Sequence, residues 1–343
     1  MNRAYILIFL FLPLDAFAEI GVLRLIKDQR FWGSPLLRHP INHLPRYESI
    51  TDYLESIASN YRNIVSLEDI GTTFEERTIY AVKISSGGIG KPKILIDAAM
   101  HGHEWMAPTV AIYAIHQLIT NKSHTYLYQN VDWYIIPCLN PDGYEFTVSS
   151  GNRWWRKNRS INEGSSCIGT DINRNFDIGW MGKSNIDDPC SDFYRGFTPF
   201  SESESKALRN LFRSNRGLIK VYLTLHSFGM YFLYPWSWTK ISTNNFDLQI
   251  VANKAARAIT RRYNTRYTVD NVRRIENEIC GSSVDWMLAV GNGVDLSYTL
   301  QLPGHTYHMF KLPLEAIGLE TLEAFKVFHS YIENKYLTNN GQN

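Results

Sequence analysis

Short apolar runs at Ile79 to Ile84, Ile94 to Ala98, Val131 to Pro137, Val221 to Leu225 and Leu296 to Leu302 alternate along the chain with helical patterns at Thr109 to Thr120, Glu202 to Arg213, Phe246 to Tyr263 and Leu314 to Tyr331. Strands interleaved with helices bury themselves as a central sheet covered on both faces. No internal repeat, low-complexity tract or linker interrupts the chain after about residue 43. The expectation is therefore one α/β domain over residues 43–338, a central mixed β-sheet with helices on both faces. Its first helix is expected where Ser49 can act as the cap and Asp52 stands in the third position, with Ile50, Tyr53, Leu54, Ile57 and Tyr61 following at helical spacing.

With 343 residues, 44% of them hydrophobic and 20% charged, the chain can bury a large core. The formal net charge is only +2 and no basic block stands out, which argues against a nucleic-acid surface or a polybasic membrane anchor. Residues 1–18 read as a secretory signal peptide: Arg3 opens them, Ala4 to Leu14 form an apolar core, and Ala16-Phe17-Ala18 offers a cleavage site before Glu19. That core is too short to cross a hydrocarbon layer needing ~20 residues, so a secreted, extracellular protein with no membrane span is expected. Secretion agrees with the four cysteines, since an oxidising compartment permits disulfides. Asn121-Lys-Ser and Asn158-Arg-Ser are possible glycosylation acceptors.

The chemistry is expected where strands end, because catalytic groups gather there in sheets of this kind. Lys93-Ile-Leu-Ile-Asp-Ala-Ala-Met100 runs into His101-Gly-His-Glu-Trp-Met-Ala-Pro108, and Val221 to Leu225 runs into His226. His101, Glu104 and the distant His226 supply two imidazoles and one carboxylate, a set that leaves the fourth position of a zinc ion open for a catalytic water. A His-x-x-Glu pair alone arises readily by chance, and surface or core histidines are the competing explanation. In Asp171-Ile-Asn-Arg-Asn175, Arg174 offers a planar fork that pairs bidentately with a carboxylate and Asn173 adds an amide donor, although the stretch could equally be a solvated turn. Arg156 can stabilise an oxyanion, with a solvated basic turn of Arg153, Lys157 and Arg159 around it as the alternative. Cys138, in an apolar strand, reads as an inert buried thiol.

Taken in order, these segments resemble the zinc carboxypeptidases of the pancreatic A/B type from about His43 to Leu337. The resemblance rests on His101-Gly-His-Glu-Trp105, Asn140-Pro-Asp-Gly-Tyr144, Arg153-Trp-Trp-Arg-Lys157, Gly164-Ser-Ser-Cys-Ile-Gly-Thr-Asp-Ile-Asn-Arg-Asn-Phe176 and Leu225-His-Ser227. It implies the zinc carboxypeptidase fold and one zinc ion at His101, Glu104 and His226. It also implies peptide or protein C-termini as partners, held by Asn173 and Arg174 at the terminal carboxylate and by Arg156 at the scissile carbonyl. A disulfide between Cys167 and Cys190 follows from the same likeness, and a monomer is expected. In Gly281-Ser-Ser-Val-Asp-Trp286 it places Val284 at the floor of the pocket for the last side chain, with Cys280 close by. An apolar floor cannot pair with Lys or Arg, so aliphatic or aromatic last residues are expected.

Two positions depart from that pattern. Gln301, in Ser297-Tyr-Thr-Leu-Gln-Leu302, stands where the resemblance requires a glutamate general base, and Asn277, counted back from Asp285-Trp286, stands where it requires a substrate-capping tyrosine. A glutamine amide can hold a water by a hydrogen bond but cannot take its proton. Glu276, Glu278 and His305 flank the altered positions, yet nothing in their spacing aims them at the metal. The segment from Glu19 to Asn42 is also too short for the folded inhibitory prodomain that the resemblance implies, which suits either a protein with no activity to restrain or a truncated sequence. The expectation is a secreted zinc protein that recognises apolar peptide C-termini and hydrolyses them poorly. The competing readings are an active zinc metallocarboxypeptidase and a purely structural interaction protein.

Overall fold

The computed structural model describes residues 45–182, 186–241, 243–290, 293–304 and 314–338. The expected signal peptide, the segment 19–42, the tail 339–343 and His305 lie outside these residues. One eight-stranded sheet runs in the order β1 (Val65–Thr72), β2 (Thr78–Ile84), β4 (Asp132–Ile136), β3 (Lys93–Ala98), β5 (Ile219–Ser227), β8 (Leu296–Leu302), β6 (Tyr231–Tyr234) and β7 (Thr268–Asn271). The four central strands β4, β3, β5 and β8 are parallel, whereas β1 and β2 are antiparallel at one side and β6 runs antiparallel to β8 at the other. β3 and β4 are buried at every position, which is why they read as unbroken apolar runs.

Residues alternate between two cores. Ile79, Ala81, Leu95, Tyr134, Ile136 and Tyr222 share one with Leu208, Leu211 and Phe212 of α4 (Ser203–Ser214) and with Val284 and Met287 of α7 (Ser283–Ala289). The opposite face is covered by α2 (Met106–Thr120), which touches β2, β3, β4 and β5, and by α5 (Phe246–Tyr263) and α8 (Leu314–Ile332), which pack on one another. The predicted mixed sheet between two helical layers is thus the observed one.

The first helix corrects its prediction. α1 spans Tyr47–Asn60, so Ser49 lies inside it and caps nothing. Its start is fixed from elsewhere in the chain, by Glu145 Oε2 accepting from Tyr47 N at 2.9 Å. Strands β1, β6 and β7 were not expected, because β1 is a part-exposed edge without a clean two-residue alternation and the other two are four residues long.

Cys167 and Cys190 are bridged, with Cα atoms 5.0 Å apart, and Cys138 and Cys280 are buried thiols. Asn158 is 1% exposed, and its amide donates to Glu202 Oε2 at 2.7 Å and Glu204 Oε2 at 3.0 Å. A glycan on that nitrogen would displace both bonds, which rules Asn158 out as an acceptor in the folded protein.

The pair of acids under Asn158 makes stability pH-dependent. Burial, with help from Glu202, pushes the Glu204 carboxyl up to about 8. The native state then keeps a proton that the unfolded chain releases, so stability falls as pH rises from about 4.5 to about 8. At ~1.4 kcal/mol per pKa unit the loss amounts to a few kcal/mol. Glu204→Gln should remove it: in denaturant titrations the variant outlasts the natural protein at pH 8 and converges with it near pH 5. Parallel pH slopes for the two proteins would show that Glu204 ionises normally.

Candidate functional site

β3, β5 and β8 are adjacent and parallel, so their C-terminal ends open on one place. The chain leaves β3 through Ala99, at φ 53°, and delivers His101 and Glu104 just before α2. His226 lies at the end of β5, and Gln301 is its direct partner across the β5–β8 ladder. Gly102 is required in the ligand loop, since a Cβ there would lie 2.4 Å from Gly143 O. The same loop is tied down by Asn140, whose amide donates to Met100 O at 3.1 Å and Lys157 O at 3.2 Å. The Asn-Pro-Asp-Gly-Tyr motif therefore acts by joining the loop of the proposed metal ligands to the loop of the arginines.

The ligand atoms of His101, Glu104 and His226 all lie within 4.8 Å of one another, and the three residues are 2–4% exposed. His101 Nδ1 is 3.0 Å from Glu104 Oε1, and His226 Nδ1 is 2.7 Å from Glu104 Oε2. The far nitrogens decide the tautomers. His101 Nε2 stands 3.1 Å from Asp171 Oδ1, an acceptor, and is therefore the protonated nitrogen. His226 Nε2 stands 3.1 Å from Thr224 Oγ1, which gives its own hydrogen to Asp97 Oδ1 at 2.9 Å and must accept from the imidazole. Both Nδ1 lone pairs then face Glu104, and His101 Nδ1 is buried without a hydrogen-bond partner among the described residues. This donor set fits zinc. Burial raises the Glu104 pKa, but His226 and His101, when they are protonated instead, outweigh it and hold the carboxyl well below its ordinary range.

Asp171 links that cluster to the arginines. Its Oδ2 accepts from Arg156 Nε and Nη2, both at 2.9 Å, with Arg174 Nη1 at 3.8 Å. Burial raises the Asp171 pKa; Arg156, Arg174 and His101 override it and keep the group ionised well below the usual carboxylate range. Asn173 Oδ1 accepts from Ser283 N at 3.0 Å, which leaves its NH2 as a donor without a partner among the described residues. Arg153, Lys157 and Arg159 are occupied elsewhere, so the reading of a solvated basic turn does not hold. Arg153 stacks 3.5 Å from Trp105, Lys157 donates to Pro189 O at 2.6 Å, and Arg159 stacks 3.7 Å from Phe146. Arg156 alone of the four joins the wall of the cavity.

That cavity, of about 260 Å³, is bounded by the three proposed ligands, Arg156, Asn173, Arg174, Val284 and Gln301. Val272 and Ile279 extend its apolar side, and Phe193 lies 5.1 Å from the Arg156 guanidinium and 5.6 Å from that of Arg174. Two expected members are not in the wall. Cys280 is buried away from it, with Sγ 3.8 Å from Glu278 Oε1, because the chain turns Ile279 and Ser282 inward instead. Asn277 is exposed at the surface. Its neighbour Glu276 does enter the cavity, where Gln301 Nε2 donates to Glu276 Oε1 at 3.3 Å. Sequence spacing gave no sign of that approach. Asp171, Thr224 and Asp97 were also missed, although the demand of each ligating imidazole for a fixed acceptor was a signal that could have found them.

Residues 50–326 match the family model described as zinc carboxypeptidase. Carboxypeptidase B of Astacus astacus is 37% identical over 298 residues, covering 84% of this chain and 97% of that protein. Mast cell carboxypeptidase A of Homo sapiens is 36% identical over 303 residues, covering 86% and 72%. Among solved structures, bovine thrombin-activatable fibrinolysis inhibitor in complex with tick carboxypeptidase inhibitor superposes with a TM-score of 0.78 at 30% identity, covering 84% of this chain and 97% of that one. Carboxypeptidase A from Helicoverpa armigera gives 0.79 at 29% identity, covering 92% and 81%.

Proposed function

Because the chain belongs to the zinc carboxypeptidase family, we propose that it is a secreted, zinc-binding reader of apolar peptide C-termini whose hydrolytic step is crippled. His101, Glu104 and His226 would hold the ion, which when bound supplies Lewis-acid chemistry. Arg174 and the NH2 of Asn173 hold the terminal carboxylate, while Arg156 faces the oxygen that gains charge. Val272, Ile279 and Val284 receive the last side chain. The signal-like residues 1–18 and the disulfide support secretion.

One observation carries the impairment: the cavity wall beside His226, where a proton must pass between water and leaving amine, is occupied by the Gln301 amide. An amide neither accepts nor delivers that proton. The test measures zinc content and turnover of a blocked peptide ending in Phe on one sample; stoichiometric zinc with background turnover is expected, and robust turnover would overturn the reading. Binding is checked separately by calorimetry. The free-acid peptide should bind roughly tenfold or more tighter than its C-terminal amide, as loss of a charge-assisted pair implies. Equal affinities would mean that Arg174 is not engaged.

A further inference from the structure

A second cavity lies where β6 and β7 end. The two strands are parallel, with Tyr234 and Asn271 paired at their last positions, and crevices beyond the carboxyl ends of parallel strands are where sheets of this kind take ligands. Its walls come from the connection between β6 and α5, from the first turns of α5 and from the single turn α6 (Val272–Ile275), which Asn271 begins by accepting from Arg273 N at 3.0 Å. The enclosed space, about 440 Å³, exceeds the 260 Å³ of the first cavity and falls within the ~300–1,000 Å³ typical of ligand sites. The peptide-terminus reading makes no use of it.

The chemistry of this cavity is one-sided. Lys240, Arg273 and Arg274 line it, and among the described residues no Asp or Glu does. Lys240 has no ion-pair partner among those residues, and Arg274 reaches only Asp270, at 3.4 Å, with 70% of its side chain exposed. Arg273 reaches only Glu278, at 3.7 Å, while its Nε is buried without a hydrogen-bond partner. Surface pairs of that kind contribute little, so a ligand carboxylate exchanges for them at small cost. Asp247, in the first turn of α5, is engaged outside the wall, accepting from Tyr331 Oη at 3.1 Å. Beside the cations stand apolar side chains turned to solvent: Ile241 is 72% exposed, Phe246 78%, and Ile250, one helical turn after Phe246 on the same face, 50%. A cationic wall with an apolar rim suits an elongated ligand that carries both carboxylates and an apolar side chain. It suits a sulfated sugar or a phosphate chain less, since Ile241 and Phe246 offer these nothing. We propose that this cavity is a docking site for an acidic peptide segment with an aromatic or aliphatic residue in it, the carboxylates on Lys240, Arg273 and Arg274 and the apolar side chain against Ile241 and Phe246. Side-chain carboxylates suffice, so no free terminus is needed and the peptide-terminus reading can fail without affecting this one.

The test follows the fluorescence anisotropy of a labelled Asp-Glu-Phe-Glu-Asp peptide, blocked at both ends so that the clamp of the first cavity has no terminal carboxylate to hold. It is titrated with the full chain, with the double variant Lys240→Gln and Arg274→Gln, and with Phe246→Ser, all changes at exposed positions. The natural protein should bind it, less tightly as salt is raised, and each variant should lose about tenfold in affinity. An Asn-Gln-Phe-Gln-Asn peptide should bind the natural protein about tenfold more weakly as well. A peptide with Ser in place of Phe should also bind weakly, and no worse when Phe246 is replaced, because the contact is then already gone. These two peptides decide the matter on the natural protein if a variant fails to fold. No binding by the natural protein, or binding that ignores both the variants and the peptide changes, overturns the proposal. A sulfated oligosaccharide that binds as tightly and is indifferent to Phe246→Ser makes the face a polyanion surface and overturns it too. Self-association abolished by Phe246→Ser, without peptide binding, gives the patch to a second copy of the chain instead.

Discussion

Gln301→Glu should raise kcat/KM for a blocked peptide ending in Phe by ~10²–10⁴ over the natural protein, the range that a positioned general base contributes. The two side chains have nearly the same shape, and position 301 is held by the ladder that pairs it with His226, so the proposed ligands and the apolar pocket should not move. What changes is one atom, an amide nitrogen becoming an oxygen able to accept a proton; the hydrogen bond that this nitrogen donates to Glu276 Oε1 is exchanged for a like-charge contact, which favours a proton on the new carboxyl. Asn277→Tyr should add a smaller gain, since residue 277 lies at the surface and would have to close over the cavity. Steady-state assays at matched zinc content decide the matter. No gain in the glutamate variant at full zinc occupancy would mean that the impairment lies elsewhere in the site.

The sheet was legible because its central strands are buried on both faces and therefore apolar throughout, as β3 and β4 show. Edge strands are not so constrained: β1 is half exposed, and its place is fixed by pairing with β2, a contact that no local pattern encodes. The same division runs through the site. His101, Glu104 and His226 were readable because strand ends bring them together, and Asn173, Arg174 and Arg156 because they lie in segments with recognisable order. Glu276 was not, because a four-residue turn, invisible to periodicity, decides that it rather than Asn277 faces inward. The buried carboxylate of Asp171 escaped notice for another reason: it touches only protein groups, and its importance appears once three of its partners are seen to be His101, Arg156 and Arg174.

Asp171→Asn should lower zinc affinity by ~10–100-fold, the usual effect of removing the group that orients a ligating histidine. Asp171 offers two acceptor oxygens, Oδ1 to His101 Nε2 and to Asn173 N, and Oδ2 to Arg156. Asparagine has a single acceptor, and its NH2 must face one of these partners. Facing Arg156, it would set donor against a cation that cannot lose its proton. Arg156 presents two charged donors, against one neutral backbone N–H and the imidazole on the other side, so the amide turns its oxygen to Arg156 and its NH2 to His101 and Asn173 N. The imidazole can meet that donor only by moving its proton from Nε2 to Nδ1, which is the nitrogen aimed at Glu104 and the one needed for the metal. A substitution that preserves shape thus inverts a tautomer. Competition with a chromophoric chelator measures the affinity, and thermal unfolding of the metal-free proteins controls for a general loss of structure. Unchanged zinc affinity in a folded variant would mean that Asp171 serves the arginines alone and that His101 finds its orientation from the loop pinned by Asn140 and Gly102.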